Sequence, residues 1–140
     1  MEKSEGKLPQ PLLVVDDRTD VLQALTRFFE LDFQIVLKAQ SPAEAEQVLR
    51  SRQPNFLLCD YWLGENHPPS TEFLPRWRAE YPCLKRVVLM TGTKSSSIPP
   101  CSAIDDIFPK PLRLARVVEY FRAHADAMQA EGQALTSPVL

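Results

Sequence analysis

The chain has 140 residues and a mass of 15.9 kDa, the size of one domain. Its apolar share of 44% is ordinary for a globular protein, and a formal charge of −2 with a pI near 5.7 gives no basic field to draw nucleic acid or anionic lipid. No apolar run nears the roughly 20 residues of a membrane span, and the opening MEKSEGKLPQP lacks the apolar stretch of a secretory signal.

Residues 1–10 therefore read as a disordered tail. The first apolar run, Leu12 to Val15, is followed by Asp16, Asp17 and a third acid, Asp20. Val21, Leu22, Leu25, Phe28 and Phe29 then recur at three- and four-residue spacing, an amphipathic helix. A second run, Phe33 to Leu37, precedes Ser41-Pro42-Ala43-Glu44, a capping box with proline at the first helical position. Ala45, Val48 and Leu49 form the apolar face behind it.

The third run, Phe56 to Cys59, leads straight into Asp60. Phe73, Leu74 and Trp77 predict a third helix whose first turns Pro75 distorts. The fourth run, Val87 to Met90, ends in Thr91-Gly92-Thr93, and the short run Ile107-Phe108 ends in Pro109-Lys110-Pro111. Leu114, Val117, Val118 and Phe121 predict a last helix to about Met128, and residues 128–140 read as a frayed tail. The domain thus spans 11–127.

Runs 12–15, 56–59 and 87–90 are apolar at every position, as in strands covered on both faces. Their alternation with helices predicts a doubly wound α/β sheet, whose working site lies beyond the carboxyl ends of the strands. Cys59, Cys83 and Cys101 are odd in number and lack CxxC or metal-ligand spacing, which points to a reducing cytosol. Cys59 reads as a core hydrophobe. His67 and His124 lack ligand spacing, and His124, Arg113, Arg116 and Arg122 read as the wet side of the last helix.

Each strand-end group alone has an ordinary explanation: a helix cap, a strand-end hydroxyl, a solvated lysine. Their convergence is harder to explain that way. Clustered carboxylates repel unless a cation sits among them. Mg2+ suits such a site, since it takes one or two carboxylates and fills other positions with water and phosphate. A lysine and a hydroxyl facing the same gap would meet an anion, the set of parts used in phosphoryl transfer, with Asp60 as nucleophile.

LLVVDD, the Asp60 strand, LMTGT and IFPKP together resemble the receiver domain of two-component response regulators, over about residues 11–126. The spacing agrees: Asp60 lies 43 residues past Asp17, Thr91 31 past Asp60 and Lys110 19 past Thr91. The resemblance implies a flavodoxin-like, parallel five-stranded sheet of order 2-1-3-4-5. It implies that Asp60 accepts a phosphoryl group from a histidine kinase or histidine phosphotransfer protein. Asp17 and Asp60 would bind Mg2+ directly, Asp16 mainly through water, and Trp62 through its backbone carbonyl. Lys110 would pair with the phosphoryl oxygens, Thr91 would move to hydrogen-bond one of them, and the Lys110–Pro111 peptide would be cis.

Three departures qualify the expectation. The family's aromatic three residues before the lysine is Ile107 here. The stretch Thr93 to Ser102 stands where the fourth helix belongs, and Pro99-Pro100 with three serines predicts a loop or one short turn, so the usual output surface is remodelled. Trp62, two residues past Asp60, has the bulk to hinder the water that hydrolyses the acyl phosphate.

The expectation is a stand-alone cytoplasmic phosphoacceptor that signals to a downstream protein partner, without direct contact to nucleic acid or membrane, and not a turnover enzyme. The alternative is a pseudo-receiver that binds protein without phosphorylation. An aspartyl-phosphatase-type hydrolase wants an acid where Trp62 stands. A flavin binder would find its phosphate repelled by DDRTD.

Overall fold

The computed structural model describes residues 6–136. Five strands, β1 (Leu12–Val15), β2 (Val36–Ala39), β3 (Phe56–Asp60), β4 (Arg86–Thr91) and β5 (Asp106–Pro109), form one parallel sheet in the order β2-β1-β3-β4-β5. The helices are α1 (Thr19–Phe29), α2 (Pro42–Arg52), α3 (Leu74–Glu80) and α4 (Leu114–Thr136). This is the flavodoxin-like arrangement read from the sequence.

The run-on hydrophobicity of the central strands has a direct cause. Leu12, Val14, Phe56, Leu58, Val88 and Met90 join one apolar cluster with Leu22, Phe29, Val117 and Phe121. The alternate residues Leu13, Val15, Leu57, Cys59, Val87 and Leu89 join a second cluster with Ala45, Leu49, Leu74 and Trp77. Both faces are covered, so the apolar positions of β1, β3 and β4 are all buried. Register then aligns the strand ends. Val15 lies opposite Cys59, Asp60 opposite Met90 and Thr91 opposite Pro109, which brings the polar residues beyond them to one rim.

Local signals hold at α2, where Ser41 Oγ accepts from the Glu44 N–H at 3.2 Å and Pro42 occupies the first turn. Glu44 closes the box one residue early, accepting from the Gln40 N–H at 2.8 Å. Pro75 falls in the first turn of the seven-residue α3, behind a 3-10 turn at Ser70–Glu72. The β4–β5 crossover holds no α-helix, only a 3-10 turn at Ser95–Ser97. Ile98 and Ala103 anchor it in the core while Pro99 and Pro100 stay exposed.

Several expectations are corrected. The second strand is Val36–Ala39 rather than 33–37, because Phe33 turns into the core. Its ring meets Phe29, Phe56 and Phe121 edge to face. Residues 6–10 are not a free tail. Leu8 is buried, forms a parallel bridge with Phe33, and exchanges backbone hydrogen bonds with Asp32 and Gln34 at 2.8 and 2.9 Å. Residues 1–5 of the expected tail lie outside the described residues.

Arg122 does not belong to a wet face, since it donates to Gly6 O at 3.1 Å and to Asp32 Oδ1 at 3.3 Å. His124 is likewise engaged: its Nδ1 accepts from Arg86 Nε at 2.8 Å and its ring packs on Tyr120. Helix α4 continues past Met128 to Thr136, through a stretch rich in alanine and glutamine. Residues 137–140 of the expected frayed tail lie outside the described residues. Among the described residues no helix is long and apolar enough to cross a membrane.

Candidate functional site

Asp16 follows β1 and is fully buried. Its Oδ1 accepts from the Arg18 N–H at 2.9 Å, while its buried Oδ2 has no hydrogen-bond partner. Asp17, next in the chain, is exposed at the rim. Asp60 ends β3 and is largely buried. Each of the three acids offers an oxygen, and these oxygens all lie within 4.8 Å of one another. Asp20, the other acid of the segment, lies outside the cluster, 3.5 Å from Arg18 on the surface.

Lys110 reaches in from the end of β5. Its Nζ lies 2.9 Å from Asp60 Oδ2 and 3.5 Å from Asp16 Oδ2. Its own N–H donates to Thr91 O at 2.8 Å, and the Lys110–Pro111 peptide is cis, as expected. Thr91 is buried, and its Oγ1 accepts from the Thr93 N–H at 2.9 Å. Among the described residues no hydrogen bond joins that hydroxyl to Asp60.

Charges outweigh counter-charges here: three carboxylates cluster, and one ammonium pairs with two of them. Burial pushes the Asp60 carboxyl above its ordinary value, Lys110 pulls it back, and Asp16 pushes it up again. Burial alone would lower the Lys110 ammonium, but the Asp60 and Asp16 carboxylates outweigh it and raise it. The Asp16 oxygen that lacks a hydrogen bond and the crowded oxygen donors match a hard divalent cation with oxygen ligands. Asp16, Asp17 and Asp60 are the side chains that would hold it.

The rim is made by the loop after β3. Trp62 is 49% exposed, and its indole meets the buried Tyr61 ring edge to face at 5.0 Å. Tyr61, unexplained by the sequence, is a core residue of the second apolar cluster. Gly64 has φ +104°, a conformation that favours glycine, and a Cβ there would sit 3.4 Å from Asp17 Oδ2. Ile107 is half-buried against the second cluster and brings no ring to the site.

Sequence reasoning missed Ser70. It is fully buried; its Oγ donates to Asp60 O and lies 3.1 Å from Tyr61 O, which accepts the Ser70 N–H at 2.9 Å. The only local signal was a serine opening a turn after Pro68-Pro69. Cys59 behaves as expected: burial pushes its thiol up to about 12. His67 and His124 are not among the clustered metal-ligating groups.

Neither a family model nor a curated protein sequence matches this chain. Solved structures match across most of it. A CheY-like response regulator receiver domain protein from Methanospirillum hungatei JF-1 aligns with a TM-score of 0.76 at 22% identity, covering 88% of this chain and 98% of that one. A response regulator from Thermotoga maritima aligns with a TM-score of 0.69 at 24% identity, covering 85% and 99%. A response regulator protein from Burkholderia pseudomallei, crystallised with a phosphorylated aspartic acid, calcium ion and citrate, gives 0.66 at 22% identity, covering 94% of this chain and 76% of that one. The chain therefore has the fold of CheY-like response regulator receiver domains.

Proposed function

We propose that this chain is a phospho-accepting receiver of a two-component system or phosphorelay, with Asp60 as the phosphoacceptor. The observation that carries the reading is the Lys110 ammonium 2.9 Å from the Asp60 carboxylate, inside a cluster completed by Asp16 and Asp17. The fold it shares with receiver proteins, one of them bearing a phosphorylated aspartic acid, supports the same reading.

In the reaction, an Asp60 oxygen forms a bond to the phosphorus of a phosphohistidine on a kinase or phosphotransfer protein. The donor's P–N bond breaks and its imidazole leaves with the electron pair. Lys110 stays beside the acceptor and pairs with the phosphoryl oxygens. Thr91 releases the Thr93 N–H and turns its hydroxyl to a phosphoryl oxygen, which moves the Gly92–Thr93 segment and alters the surface offered to a downstream protein. Asp16, Asp17, Asp60 and the Trp62 carbonyl would hold Mg2+. When bound, it neutralises charge that develops on the transferred group.

Such a domain accepts and slowly loses one phosphoryl group and turns over no substrate. The net charge of −2 fits a cytoplasmic protein that engages proteins rather than nucleic acid or membrane. Incubation with acetyl phosphate and Mg2+, followed by mass spectrometry, tests the reading. One added phosphoryl group that is absent from Asp60→Asn is the expected result. No uptake by the folded wild type, from acetyl phosphate or from a phosphohistidine donor, would sink it. The second reading, a phosphorylation-independent binding module, would then stand, favoured by the ringless Ile107 and the missing crossover helix.

A further inference from the structure

The last helix is tied to the start of β4 through a histidine. Arg86 opens β4, at the end of the sheet opposite the acidic cluster, and its Nε donates to His124 Nδ1 of α4 at 2.8 Å. The imidazole packs on the Tyr120 ring one turn earlier, with centroids 4.4 Å apart, and the residue is half-buried. Arg86 is held from its other side by Asp105, whose Oδ1 lies 3.6 Å from Nη1. Asp105 is itself fixed: its Oδ2 accepts from the Val87 N–H at 2.7 Å and from Arg78 of α3 at 2.9 Å. The contact therefore joins α4 to a network that also takes in α3, β4 and the β4–β5 crossover.

Only one protonation state of His124 fits it. A guanidinium has donors and no acceptor, so Nδ1 must offer a bare lone pair, and the ring proton of the neutral imidazole belongs on Nε2. A proton added at Nδ1 sets N–H against N–H and cation against cation, and the bond is lost. The charged groups that face the ring are Arg86 and, acting with opposite sign, Asp105 before β5 and Asp106 at its start. Asp105 gives the imidazolium no ready substitute partner, because its oxygens already serve Arg78, Val87 and Arg86. Asp106 Oδ1 accepts from the Ile107 N–H at 2.8 Å.

We propose that the Arg86–His124 contact is an acid-released latch: it holds α4 to the start of β4 while the imidazole is neutral and lets go when the imidazole takes a proton. Burial first, then the Arg86 charge, holds the imidazole below its ordinary pKa, against the weaker pull of Asp105 and Asp106. The stability that the latch contributes is thus complete above the ordinary histidine value and is lost as pH falls through the lowered one. Val117, Phe121 and Ala125 keep the helix on the core, so release loosens the turn around His124 and does not detach α4. None of this depends on the role of Asp60.

Two measurements on the full chain, in chelator-treated buffer, test the latch. In NMR spectra of the wild type from about pH 8 to about pH 5, neutral His124 carries its proton on Nε2, and the Arg86 Nε–H resonance moves upfield as His124 titrates. His67, the other histidine of the chain, titrates without moving that resonance. In urea denaturation, the wild type loses several-fold in its folding equilibrium constant between about pH 7.5 and about pH 5, relative to His124→Asn. That variant places an uncharged oxygen near the position of Nδ1 and accepts from Arg86 at either pH. Groups that titrate elsewhere act equally on both chains and cancel. A neutral His124 protonated on Nδ1 overturns the proposal, as does an Arg86 resonance indifferent to the titration or a pH dependence shared by both chains. Should His124→Asn fail to fold, the wild-type spectra decide alone.

Discussion

Lys110 Nζ lies 2.9 Å from Asp60 Oδ2, a contact between the ends of two strands that are not neighbours in the sheet. The same ammonium stands 3.5 Å from Asp16 Oδ2, so one cation opposes two buried carboxylates. Removing it has a consequence for stability as well as for chemistry.

In Lys110→Ala, in chelator-treated buffer at pH 7, the fold loses roughly 1–3 kcal/mol, less than for a fully buried pair because Nζ keeps some solvent. The sign with pH is set by Asp60. Its folded pKa is raised, so the native state binds more protons than the unfolded state, and stability falls as pH rises from the ordinary aspartate value through the raised one. Without Lys110 the carboxyl rises further. Thermal melts will show a larger deficit at pH 7 than at about pH 4, where aspartate approaches its ordinary pKa. In the wild type the stability that Lys110 contributes is present at neutral pH, shrinks at low pH as Asp60 takes a proton, and is lost at high pH as pH rises through the raised Lys110 pKa.

A divalent cation at the acidic cluster stabilises the native state by mass action. Mg2+ at a hundred times its dissociation constant adds about 2.7 kcal/mol. Melting curves with and without Mg2+ measure this directly. Asp17→Asn, which leaves the buried Asp16 and Asp60 in place, will abolish most of the increment. An equal increment in the variant would place the ion elsewhere.

Trp62 stands two residues past Asp60 with half its surface exposed. On the proposed reading of Asp60 as the phosphoacceptor, a bulky ring there would obstruct the approach of water to its acyl phosphate. The phosphorylated form of Trp62→Ala will therefore decay several-fold faster than wild type once free donor is removed. A decay equal to or slower than wild type counts against the obstruction.

Leu8 docks on Phe33 ahead of β1. Leu8→Ala removes a buried side chain and costs about 2–3 kcal/mol, in the lower part of the range for such truncations. Urea denaturation measures it.

The strands and the polar groups at their ends were readable because their signals are local. A strand covered on both faces is apolar at every position, and the run stops where a carboxylate, a hydroxyl or a lysine follows. The prolines at 99 and 100 likewise forbid the crossover helix wherever the segment lies. Leu8, Arg122 and His124 were misread because each looks solvated in its own neighbourhood. Their partners, Phe33, Asp32 and Arg86, are far along the chain.

What the sequence determined by itself was the fold class, the order of the strand-end groups and the identity of the acids, because hydrophobic patterning and chain order need no third dimension. Only the tertiary structure decided that Asp16 keeps a buried oxygen without a hydrogen bond, that Lys110 spans two carboxylates, and that Ser70 bonds the carbonyls that follow β3. These depend on distances between segments that chain packing, not local preference, brings together.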